Sequence, residues 1–317
     1  MKTQVLLSLL AAGVLLASCS KNVTEEGNGP VPGDGQPVAI HLSSGIGDAA
    51  EAGSKAPVTA EAPATVQIEG WESSTGAADY TAATSKWQST ASVSVSETAA
   101  AITLSPQQYY NADENIKTYI KGWYPAVASV NGEVTFTNTD GTEDVLYAME
   151  VSGNKTEMGK VNQPLVFNHK SAQLVFKVVK GEGLAAGTKI KTIKVKNTAI
   201  PTSLTLSTNT VNYTDMAELE VPNVTVAEIG ETAAVAGDPL MVKPMDDNIT
   251  VKLYIETTTD DGSTVAATYD DVTLTTSDGK LTEGSAYTVT LTFKQASILL
   301  EANITPWTEA TGEGTVI

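Results

Sequence analysis

The chain has one cysteine, two histidines and no arginine among its 317 residues. Each scarcity removes a class of chemistry. A single cysteine cannot close an internal disulfide, so the fold must rest on apolar burial. His41 and His169 stand far apart in sequence and in no metal-ligand spacing, which argues against a zinc site. All 19 basic residues are lysine, and without the arginine fork bidentate recognition of phosphate or carboxylate is weakened. Against them stand 37 Asp and Glu, for a formal net charge of −18. A surface this acidic repels nucleic acid and anionic lipid. No Gly-x-Ser-x-Gly elbow accompanies a histidine, and no Gly-rich phosphate loop is present. No stretch repeats with a convincing helical period, although Pro106 to Ile116 admits a short helix.

What is present begins with an address. Lys2 is followed by an apolar stretch from Val5 to Leu16 and then Ala17-Ser18-Cys19. That run is too short to span a bilayer comfortably and reads as a signal peptide over residues 1–18. An aliphatic residue, two small residues and a cysteine form a lipobox. Cys19 is the expected lipid attachment point of an exported bacterial lipoprotein. Residues 19–37 are rich in Gly, Pro and acidic side chains and predict a flexible tether.

From Val38 onward the pattern has a period of two. Val38, Ile40 and Leu42 alternate with Ala39, His41 and Ser43. Ile249, Val251, Leu253 and Ile255 alternate with Thr250, Lys252 and Tyr254, and Tyr287, Val289, Leu291 and Phe293 repeat the theme. Such alternation predicts antiparallel strands with one face on a core and one in water. Asn131-Gly132, Asp140-Gly141, Asp261-Gly262 and Asp278-Gly279 supply turn signals between the runs. The fold class is all-β, in sandwiches. A chain of this length holds two cores of roughly 100–150 residues each. The break is expected near Asn162-Gln163-Pro164, giving β-sandwiches over 38–162 and 163–317.

Candidate chemistry is thin. The pairs Asp246-Asp247, Asp260-Asp261 and Asp270-Asp271 lack the alternating spacing of a calcium loop and read as acidic hairpin tips. Carboxylates are too common to single out a glycosidase pair. Trp71, Trp87, Trp123 and Trp307 are scattered, so packing is expected of most. No enzyme, cofactor or metal is expected.

Several segments in order resemble the fimbrillin-like surface lipoproteins of Bacteroidales. They are the lipobox, Ser54-Lys55-Ala56-Pro57, Gly122 to Pro125, Asp144 to Ala148, Phe167 to Ala172, Gly284 to Tyr287 and Ile304 to Trp307. The resemblance implies two tandem transthyretin-like sandwiches at the outer membrane and in a cell-surface fimbrium. It also implies polymerisation with other copies or sister subunits by strand exchange, after a protease removes a first, edge strand. Residues 38–46 suit that strand. The donor would come from the tail, where Ile298, Leu300, Ala302 and Ile304 alternate. The best-known members are cut after arginine, and here the expected cut follows Lys55, before Ala56. An uncut, lipidated chain would instead be an anchor. The alternative is a surface glycan-binding lipoprotein of a nutrient-uptake system, which would need coplanar exposed tryptophans.

Overall fold

The computed structural model describes residues 36–46, 63–82, 84–93, 100–137, 140–157, 165–247, 249–277, 279–295 and 297–306. All regular structure among them is strand. The first half carries β1 (Leu42–Ile46), β2 (Ala64–Ser73), β3 (Trp87–Val93), β4 (Ala100–Ile102), β5 (Lys117–Tyr124), β6 (Glu133–Thr135), β7 (Leu146–Gly153) and β8 (Leu165–His169). Seven of these form one sheet in the order β3-β2-β5-β7-β8-β1-β4. The sheet curls until its ends meet, because Thr90 of β3 exchanges two backbone hydrogen bonds, of 3.1 and 3.0 Å, with Ser105 just beyond β4. Inside the curl Val66, Ile68, Val93, Ile120, Leu165 and Phe167 are buried together.

The second half carries β9 (Ala172–Lys180), β10 (Lys189–Thr198), β11 (Pro201–Thr205), β12 (Thr210–Tyr213), β13 (Ala217–Glu220), β14 (Ala234–Val235), β15 (Leu240–Val242), β16 (Lys252–Thr258), β17 (Ala267–Thr273), β18 (Ser285–Phe293) and β19 (Ile298–Pro306). One sheet runs β13-β10-β16-β17 and another β14-β9-β18-β19, with β15 also on β9. Leu174, Phe176, Ile193, Val195, Leu253, Ile255, Val289 and Leu291 fill the space between them. These are the alternating residues of the sequence pattern, turned inward as a two-residue period requires.

Three features depart from the expectations. Leu165–His169 pairs with β7 and β1, so the first sheet runs through His169 rather than ending near Asn162. Both histidines therefore belong to the first half. The sheets are not purely antiparallel: β1 pairs in parallel with β8, and β9 with β18. In each case the intervening strands supply the long connection that a parallel pair requires. Residues 106–116 form no helix. Asn111 and Asp113 accept backbone N–H groups two residues on, each at 2.9 Å, and these local bonds hold the segment in turns.

A third, smaller sheet joins the halves. β6 pairs with β11, and β11 with β12. The β11–β12 hairpin thereby lies over the outer face of the first sheet. Trp71, Trp123, Val134, Phe136, Tyr147, Leu204 and Leu206 are buried beneath it.

Candidate assembly strands and a buried junction

Cys19, Lys55 and Ala56 lie outside the described residues, as do the expected break at 162–164 and Trp307. The strand expected to be released is described. It is not an edge strand: β1 lies between β8 and β4. Leu42 faces Ile102 of β4, and Ser44 faces Leu165 of β8. Just before β1, Ile40 donates to Gln108 O and Val38 accepts from Tyr110 N, both at 2.9 Å. Ile40 and Leu42 are 1% and 3% exposed in the core of the first sheet. The curl of the sheet brings β4 across β1, so the position is enclosed on both sides.

The donor candidates sit in β19, which among the described strands pairs only with β18, in register from Ser285↔Pro306 to Phe293↔Ile298. Ile298, Leu300, Ala302 and Ile304 pack partly buried against the second core. Leu299, Glu301 and Asn303 between them are exposed. The spacing matches that of Val38, Ile40, Leu42 and Ser44, whose side chains point inward at every second position.

The described tryptophans form no exposed platform. Trp71 and Trp123 are buried, and Trp71 meets Tyr80 edge-on at 4.9 Å. Trp87 packs half-buried over Gly70, so closely that a methyl group there would overlap its indole. His169 is buried with its Nδ1 2.6 Å from Asp144 Oδ2. Asp260 caps the turn between β16 and β17. The hydroxyls of Thr258 and Thr264 and the N–H of Gly262 hold its carboxyl well below the usual carboxylate range. Asp270 and Asp271 are not at a tip but inside β17, where they pair with Lys196 and Lys252. Among the described residues no group of three His, Cys, Asp or Glu could hold a metal ion.

Sequence reasoning missed a polar junction under the β11–β12 hairpin. Lys121 of β5 is 2% exposed. Its ammonium donates to Leu206 O at 2.5 Å and to Asn209 Oδ1 at 2.8 Å, and it lies 3.7 Å above the Tyr80 ring. Tyr147 donates its hydroxyl to the same Asn209 oxygen at 2.6 Å, while the Tyr80 hydroxyl donates to Glu150. Burial pushes the Lys121 amine down to about 8, with the Glu150 charge opposing. Across the ladder, Glu69 is fully buried and accepts from Ser129 N and Oγ at 2.9 and 2.6 Å. The only local signal was a charged residue amid Tyr119, Ile120, Gly122 and Trp123, which an ordinary outward-facing lysine also satisfies.

Comparison with known proteins bears on this arrangement. No curated sequence matches the chain. Among solved structures, a Bacteroides uniformis protein assigned to cell adhesion is similar, with TM-score 0.56 and 17% identity over 86% of this chain and 99% of that one. A fimbrial protein of Bacteroides vulgatus gives TM-score 0.52 and 16% identity over 77% and 93%. A Bacteroides ovatus protein also assigned to cell adhesion gives 0.51 and 14% over 87% and 99%. At these identities the likeness shows a shared fold. The fimbrillin-like family matches residues 56–307, most of the chain, and the chain belongs to that family.

Proposed function

We propose that this chain is a structural or adhesive subunit of a cell-surface fimbria, with no catalytic role of its own, assembled by strand exchange. It would consist of two tandem transthyretin-like sandwiches that meet after His169. In this reading it reaches the outer membrane with lipid on Cys19. A protease then cuts after Lys55, which releases residues 38–46. The observation that carries the reading is the position of β1. Its removal would strip hydrogen-bond partners from β4 and β8 together and open the core around Ile40 and Leu42. Such a gap is unfavourable until another strand fills it. A segment with the inward spacing of Ile298, Leu300, Ala302 and Ile304, drawn from another copy or a sister subunit, fits its dimensions. The family match supports the fimbrial role and begins at residue 56, the residue that the proposed cut would expose.

The intact mass of the protein sheared from the cells that make it tests this. The expected species begins at Ala56 and lacks lipid, and Lys55→Ala should leave the long form on the cell. A lipidated species beginning at Cys19 in the polymer itself would overturn the exchange mechanism. If lipid appears only on a cell-bound fraction, the chain serves as an anchor.

A further inference from the structure

We propose that Lys121 and Asn209 condense into a side-chain amide, a covalent link between β5 and the turn joining β11 to β12. The lysine nitrogen stands 2.8 Å from the oxygen of the carboxamide whose carbon it would attack. Tyr147 already donates to that oxygen at 2.6 Å, where negative charge develops as a tetrahedral intermediate forms. A lysine attacks only as the neutral amine, and its desolvated position favours that form. Trp71, Trp123, Phe136 and Leu206 make the surroundings apolar. Asn209 sits at φ 58°, in the tight turn that aims its side chain at β5.

The reaction needs no co-reactant. The neutral Lys121 nitrogen forms a bond to Asn209 Cγ, and the Cγ–Nδ2 bond breaks. The proton shed by the attacking nitrogen ends on the departing nitrogen, which leaves as ammonia. The chain has no second cysteine, so a disulfide cannot make this connection. The amide would fasten the hairpin of the second half onto the first sheet, whether or not the chain polymerises.

The test is the intact mass of the purified full chain together with a peptide map. The expected result is a mass lower by one ammonia than the sequence requires, with the Lys121 and Asn209 peptides recovered joined. Asn209→Asp should lose one water instead, because its leaving group is hydroxide. Lys121→Met and Asn209→Ala should show their full sequence masses. Lys121 and Asn209 found unmodified in separate peptides of the wild-type chain would overturn the proposal. So would an ammonia loss mapped elsewhere, such as to Asn131-Gly132.

Discussion

Gly132 and Asn131 form the turn before β6 with φ of 76° and 52°. A methyl group at Gly132 would stand 2.1 Å from the backbone oxygen of Tyr80, while the Gly132 carbonyl accepts from Leu206 N at 2.9 Å. Neither backbone contact can yield cheaply. Gly132→Ala should therefore cost about 1–3 kcal/mol, read as a lower urea midpoint at unchanged slope. Lys121 makes a prediction in pH. While it remains a free amine, the unfolded chain keeps a proton between about pH 8 and its ordinary value, and the folded chain does not. Stability should then rise with pH across that window. Tyr110, Tyr147 and Tyr213 act in the opposite sense. Burial raises each of them, so the folded chain holds protons that the unfolded chain loses above about pH 10. Urea midpoints from pH 7 to 11 should rise and then fall. A chain joined at Lys121 should show only the fall, and Lys121→Met likewise.

At the scale of elements, the β11–β12 hairpin decides what happens to β2 and β5. Both strands are buried on both faces, which their polar residues Glu69 and Lys121 do not suggest. The cover comes from residues far along the chain. Leu204→Ala should cost about 2–5 kcal/mol. Amide exchange should quicken in β6 and along the outer face of β5 before the second core responds. For β1, a synthetic peptide of residues 38–46 should reoccupy the gap in the trimmed chain and suppress polymerisation. The same peptide with Leu42→Asp should not, because a carboxylate would enter an apolar core. Strands such as β16 and β18 were legible because their inward residues alternate without interruption. That Leu165–His169 pairs with β7 and β1 was not legible, because a strand's own pattern does not name its partner.

At the scale of the molecule, a formal charge of −18 should oppose the approach of like subunits. If copies assemble, the initial rate followed by light scattering should increase from 10 to 150 mM salt, as the screening length shrinks to about 8 Å. The sequence by itself determined the β class of the described residues, because side-chain alternation is a property of neighbouring residues. It also excluded internal disulfides and pointed to the fimbrillin-like family through ordered short segments. Only the tertiary structure decided that β1 is enclosed rather than at an edge, that the first sheet ends at His169, and that Lys121, Tyr147 and Asn209 converge. Each depends on contacts between residues remote in sequence, made when the sheet curls and the hairpin closes over it. No local period encodes which distant strand supplies the cover.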